Sequence, residues 1–270
     1  MDSNSAMRAI WNGSISFGLV NIPIRLYSAS EERALSFHLF DKHDMCPVSY
    51  KKVCRDDDKT IDAKDIVKGY EVEKGRFVVL EKEDFKRANA RKTETIDIVQ
   101  FADIDEIEPK YFDKPYYIEP EKKASKAYAL LRDALKKTGK AGIAEYVLRD
   151  KEKIGALIVE DDQLVLIQLR YEDEIRDSGE LHIPGTAKYS AKEMDMAVAL
   201  IKDMAGSFNP KKFKDTYTSE LLKVIKAKAK GKLKEAAVKS PIQPTDVDDI
   251  LAALRKSIDE HEPAGRSRKR

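Results

Sequence analysis

Four side chains near the start of the chain, His38, His43, Cys46 and Cys54, have the donor chemistry of a zinc site. Zinc favours ligand pairs two to four residues apart, because one tight turn then presents both to a tetrahedral ion. His43 and Cys46 meet that spacing. Cys54 has no such neighbour, since Arg55, Asp56 and Asp57 follow it, so the set is a weak candidate. Two reduced cysteines and two surface histidines are the plainer reading, and no metal is assigned. Catalytic constellations are missing: there is no G-x-S-x-G elbow, no G-x-x-x-x-G-K-[ST] phosphate loop and no H-E-x-x-H. His182 and His261 lie far from the cluster and form no base–nucleophile partnership. Paired carboxylates carry no information in a chain that is 36% charged. The expectation is a protein that is not an enzyme and needs no cofactor.

Basic side chains are the more informative chemistry. Lys42, Lys51, Lys52, Arg55 and Lys59 fall on one segment between β-prone runs. Arg149, Lys151 and Lys153 mark a second connection, and Lys223, Lys226, Lys230 and Lys234 run along a helical stretch. Lysines and arginines spaced along a surface bind phosphates without reading bases, which gives affinity without sequence preference. The net charge of +2 hides a strong segregation: residues 211–239 hold ten lysines against three acids, whereas residues 1–210 sum to −5. A DNA-binding protein with an acidic body must gather its cations on one surface. The residues alone leave two alternatives open. One is a solvated face balanced by Asp41, Asp44, Asp56 and Asp150. The other is an interaction scaffold whose basic helix binds RNA or acidic partners.

The elements that must position these groups start with Arg8–Tyr27. Ile15, Phe17 and Leu19 alternate with small or polar residues, and after Leu19 the apolar parity passes to Val20, Ile22, Ile24 and Leu26. Such a flip predicts a long strand bent at Gly18, with Pro23 at an edge or a barrel corner. Leu35, Phe37 and Leu39 alternate again, and Cys46–Cys54 reads as a short strand. Val67–Val72 and Phe77–Leu80 flank Gly75 as a hairpin. Glu83–Lys92 reads as a helix and Thr95–Phe101 as a strand with Ile96, Ile98 and Phe101 inward. Tyr116–Ile118 is β-prone up to Pro120. Lys122–Thr138 is an amphipathic helix stopped by Gly139, with Ala127, Leu130, Leu131, Ala134 and Leu135 on one face. Three strands follow, Gly142–Arg149, Ile154–Val159 and Leu164–Leu169, the last two joined over Asp161–Asp162. Short strands at short spacing predict a barrel or sandwich.

From Ser190 the pattern turns helical. Met194, Ala197, Val198 and Ile201 share one face of a helix ended by Gly206. Leu222, Ile225, Ala229, Leu233 and Ala236 form the seam of a second helix. A third opens at Thr245, with Val247, Ile250, Leu251, Leu254 and Ile258 as a narrow apolar stripe that wants a partner. Two cysteines argue for a reducing compartment. No apolar run reaches the ~18 residues of a spanning helix. A soluble, cytoplasmic, nucleoid-associated protein without membrane contact is expected, and no internal repeat is visible.

WNGSISFGLVNIPIRLY, KGYEVEKGRFVVLEKEDF, KPYYIEPEKKASKAYALLRDAL, TGKAGIAEYVLRDKEK and SFNPKKFKDTY, in this order and spacing, resemble the bacterial Ku family across Arg8–Lys239. That resemblance implies an α+β, mainly β fold: an antiparallel β-barrel core, a β bridging arm, C-terminal helices and a ring-shaped homodimer. It implies binding of double-stranded DNA ends in non-homologous end joining, with the three basic groups named above facing DNA. It also implies that Val247, Ile250, Leu251, Leu254 and Ile258 resemble the segment that recruits the multidomain DNA ligase D. Relatives carry a C-x-x-C where this chain has Cys54 and Asp57, so the family's zinc site is incomplete here. The implied organisation is an extension over 1–6, a core with arm and dimer surface over 7–210, a lysine-rich helical segment over 211–239, and a recruiting helix with basic tail over 240–270.

Overall fold

A computed structural model describes residues 7–32, 35–88, 94–185, 189–231 and 250–261. The chain divides into two units, Met1–Gly179 and Glu180–Arg270. In the first, β1 (Trp11–Phe17) and β2 (Val20–Ser28) are two strands of a hairpin, with Phe17 opposite Val20. The parity flip at Gly18 is therefore a chain reversal and the expected single bent strand is corrected. A two-residue turn needs a positive φ that Gly18 supplies at +58°, and reversing the chain moves the inward positions from Ile15 to Ile22, Ile24 and Leu26. Pro23 ends the ladder between β2 and the later strand β6, whose paired register starts at Ile24: its carbonyl still accepts the Glu121 N–H (3.0 Å), while it has no N–H to carry the ladder further.

The chain leaves β2 as an extended arm, residues 35–88, containing the hairpin β3 (Lys68–Glu73) and β4 (Arg76–Leu80) and the short helix α1 (Lys82–Ala88). It returns as β5 (Thr95–Asp103), and β6 (Phe112–Pro120) leads into helix α2 (Ser125–Thr138). Then follow β7 (Lys140–Leu148), β8 (Lys151–Glu160) and β9 (Gln163–Leu169). Seven strands close a barrel in the order β1-β2-β6-β9-β8-β7-β5. Six pairings are antiparallel. The closing one, β1 on β5, is parallel from Ser14 opposite Thr95 to Ser16 opposite Asp97.

Ile15, Ile22, Ile24, Leu26, Ile96, Leu157, Leu164 and Leu166 fill the barrel and are almost wholly buried. Helix α2 adds Tyr128, Leu131 and Leu135 to the same core. Leu130 is instead 71% exposed, because the buried positions follow Ala124, Tyr128, Leu131 and Leu135, one notch from the expected face. Tyr128 fixes that rotation: its hydroxyl donates to the Ile118 carbonyl (3.3 Å) and accepts the Leu164 N–H (2.7 Å). Phe101 is also displaced from its expected place. The register shift between Ile98 and Gln100 turns it outward, where it meets Phe17 edge-on at 5.5 Å.

The second unit carries α3 (Ala191–Met204), α4 (Thr216–Ala229) and α5 (Ile250–His261). Helix α4 ends at Ala229, followed by Gly231 at φ +66°, so Leu233 and Ala236 of the expected seam lie outside the described residues. The expected start of the third helix at Thr245 also lies outside them. No helix among the described residues is long and apolar enough to cross a membrane.

Candidate nucleic-acid interface

The arm bears two loops with one hydrogen-bond pattern. In the first, the Asp41 N–H donates to the Cys46 carbonyl (2.8 Å) and the Met45 N–H to the Asp41 carbonyl (3.0 Å). In the second, the Cys54 N–H donates to the Lys59 carbonyl (2.9 Å) and the Asp58 N–H to the Cys54 carbonyl (3.1 Å). Isolated bridges close both, Phe40 with Pro47 and Val53 with Thr60. Met45 and Asp58 take the same left-handed conformation, φ +59° and +53°. Asp41 thus corresponds to Cys54 and Asp44 to Asp57, a repeat of shape that the sequence hides. The expected strands over Leu35–Leu39 and Cys46–Cys54 reduce to these single bridges.

These loops test the metal reading. Asp44 Oδ1 accepts the Cys46 N–H (2.9 Å), and Asp57 Oδ1 accepts the Lys59 N–H (3.3 Å). The Lys59 ammonium and then its backbone N–H hold the Asp57 carboxyl below the usual carboxylate range. The carboxylates are spent on loop closure. Cys46 and Cys54 are free, and among the described residues no three His, Cys, Asp or Glu side chains converge as a ligand set. His38, His43, Cys46 and Cys54 therefore do not fit a closed tetrahedral site.

The cations fall into three groups. Lys42, Lys51, Lys52, Arg55 and Lys59 are exposed on the arm, in or between the two loops. Lys59 is paired with Asp57 at 2.6 Å, whereas Lys42, Lys51, Lys52 and Arg55 make no ion pair among the described residues. Arg149, Lys151 and Lys153 cluster at the end of the β7–β8 hairpin, where Leu148 faces Lys151 and Tyr146 faces Lys153. Its turn, Arg149–Asp150, has φ of +52° and +62°, a conformation that disfavours both residue types by roughly 1 kcal/mol or more each. Placing Arg149 at such a tip projects it into solvent. Lys223, Lys226 and Lys230 are exposed on or next to α4 in the second unit, with Lys223 paired to Glu220 at 2.6 Å. Lys234 lies outside the described residues.

Of the expected partner stripe, Leu254 and Ile258 are half-buried and Ile250 is exposed. Val247 and the Leu251 side chain lie outside what the structure describes. Sequence reasoning missed how bare the arm is. Among the described side chains from 35 to 88 none is buried, although Phe37, Leu39, Tyr50 (86% exposed), Tyr70 and Phe77 are apolar. Their alternation signalled a covered face, which nothing among the described residues covers.

A closed barrel with an uncored, cation-bearing arm inserted between strands β2 and β5 defines the class of protein. Residues 16–196 match the Ku family's Ku70/Ku80 beta-barrel domain, and the chain belongs to that family. Three similar relatives carry the name Non-homologous end joining protein Ku. The one from Opitutus terrae is 45% identical over 94% of this chain and 92% of its own length. The one from Bacillus subtilis is 40% identical over 94% and 82%, and the one from Pseudomonas aeruginosa 38% over 93% and 88%.

Proposed function

We propose that this chain binds double-stranded DNA ends without sequence preference, as a homodimer that encircles the duplex, in the repair of double-strand breaks by non-homologous end joining. The observation that carries the reading is the arm, whose Lys42, Lys51, Lys52 and Arg55, unpaired among the described residues, stand on a segment with no buried residue among its described side chains. Such cations neutralise phosphates wherever they fall along the strand. Membership of a family whose relatives are named for end joining supplies the context. Closure by a two-fold dimer needs a self-complementary surface. The uncovered stripe Met194, Val198 and Ile201 of α3 suits it, as do strands of residues 7–210. The protein does no chemistry of its own, acts in the cytoplasm at the nucleoid, and recruits DNA ligase D through the helix within 240–270. The lysine-rich 211–239 adds affinity for DNA.

Competition between a linear duplex and a closed circle of the same sequence tests encirclement. The linear form should win by a wide margin, because a ring threads only from an end. Equal affinity for both topologies removes the ring from the reading.

A further inference from the structure

Among the described residues of Glu180–Arg270 none is buried, yet one helix–helix contact is built: α5 lies on α3. On α3 the half-buried residues are Glu193, Met196, Ala197 and Leu200, the spacing of one helical face. On α5 they are Ala253, Leu254, Ser257 and Ile258, again one face. Helix α3 is fixed at its start independently of α5. The Ser190 N–H donates to Glu193 Oε2 (2.5 Å), and the Glu193 N–H donates to the Ser190 hydroxyl (3.3 Å). Leu254 and Ile258 are the very residues assigned above to the ligase. Of the described α5 side chains outside that face, Ala252, Arg255 and Lys256 are exposed and Ile250 is the one large exposed apolar group, so they offer no second apolar stripe. One face of α5 cannot contact two partners at once.

We propose that α3 holds α5 in a closed state, so that the ligase must displace the Met196–Leu200 face of α3 to reach Leu254 and Ile258. The device is a built-in competitor. It leaves Met194, Val198 and Ile201 on a different face of α3, 38–68% exposed and free for another role. It rests on the ligase-recruitment reading, and its thermodynamics are those of a competent state populated only in part: apparent affinity falls by the fraction of α5 released.

The test uses the full chain with three substitutions compared, Leu200→Gln, Leu254→Gln and Ala199→Gln. Amide hydrogen exchange over 250–261 reports docking, and titration with full-length DNA ligase D reports recruitment. Leu200→Gln should speed exchange in α5 and tighten ligase binding by about three- to tenfold, because the competent fraction rises. Leu254→Gln should speed exchange equally and abolish ligase binding. Ala199→Gln, at an exposed position of α3 outside both apolar faces, should change neither. Unchanged exchange in Leu200→Gln overturns the docked state. Faster exchange with unchanged or weaker ligase binding overturns the competition. Wild-type ligase binding by Leu254→Gln, with its exchange raised, means instead that the recruitment reading has failed while the α3–α5 contact stands. Light scattering follows the dimer throughout, and loss of dimer mass in Leu200→Gln alone would place this face between copies and overturn the proposal.

Discussion

Replacing Lys42, Lys51, Lys52 and Arg55 together by glutamine removes four unpaired positive charges from the two-loop part of the arm and leaves the loops intact. Those loops are closed by backbone bonds and by Asp44 and Asp57, and none of the four side chains takes part. Each phosphate neutralised on duplex DNA contributes about 0.9 to the slope of log affinity against log salt. Four contacts per protomer make about 3.6, and a two-fold dimer doubles that to about 7. A slope component of that size is worth on the order of 10⁴-fold in affinity between 50 and 200 mM salt. Fluorescence anisotropy with a short labelled linear duplex, titrated across that range, measures it directly. The quadruple variant should bind weakly at low salt with a much flatter slope. Lys59→Gln is the internal comparison. Its ammonium is engaged by Asp57 at 2.6 Å and so takes up no phosphate, and although its loss leaves Asp57 unpaired, the number of phosphates neutralised, and with it the slope, should scarcely change. An unchanged slope in the quadruple variant would refute the assignment of the arm to phosphates. So would a Lys59→Gln effect as large as that of any single unpaired cation.

Tyr146 is buried inside the barrel with no hydrogen-bond partner for its hydroxyl among the described residues. Tyr146→Phe should therefore stabilise the protein by about 1 kcal/mol in urea melts, since it deletes an unsatisfied polar group and keeps the ring. Burial first, then the field of Tyr116 and Asp113, holds the Tyr146 hydroxyl above its ordinary value of 10. The unfolded chain thus ionises at this residue before the folded one does. Its contribution is complete below pH 10 and is lost as pH rises beyond it, so Tyr146→Phe should lose less stability at pH 10.5 than the wild type; a greater loss would contradict the sign. Gly155→Ala should destabilise by roughly 1–3 kcal/mol by overpacking. The added carbon would stand 2.9 Å from Leu166 Cδ1 and 3.1 Å from the Ile167 carbonyl, and an unchanged melt would be inconsistent with that closeness. Excess EDTA should leave DNA affinity and arm exchange rates unchanged, because carboxylate–backbone bonds close both loops; a drop in affinity or a rise in exchange would mean a metal holds them.

Local pattern made most of the strands legible and left their arrangement hidden. Ile22, Ile24 and Leu26 alternate so regularly that their burial was read directly, as was the β8–β9 hairpin, whose Asp161–Asp162 turn takes φ of +44° and +60°. What escaped depended on partners distant in sequence. Strand β1 closes the barrel on β5, some eighty residues later, through three parallel pairs that leave no trace in either segment's composition. The reversal at Gly18 escaped for another reason. A bent strand and a tight hairpin both shift apolar parity by one, and only the ladder from Trp11 opposite Leu26 to Phe17 opposite Val20 separates them. At the interface, residue type identified the cations, but which of them are already paired depends on geometry.

The arm itself limits what can cover it. The barrel has a core and α2 to cap it, so that part of the first unit is self-sufficient. A two-stranded hairpin such as β3–β4, with Tyr70 and Val78 on one face and Phe77 and Val79 on the other, is marginal in water alone. Under the proposed function DNA would satisfy Lys42, Lys51, Lys52 and Arg55, but a sugar–phosphate surface does little for exposed phenyl and isopropyl groups. On the proposed reading the arm therefore needs two kinds of contact at once, phosphates for its cations and protein for its apolar side chains. A second copy of the chain would bring the missing apolar surface to the same duplex. Encirclement and dimerisation then become one requirement of the arm's composition, and a dimer whose arms stay as open to hydrogen exchange as an unfolded segment would show that the apolar residues are covered by neither.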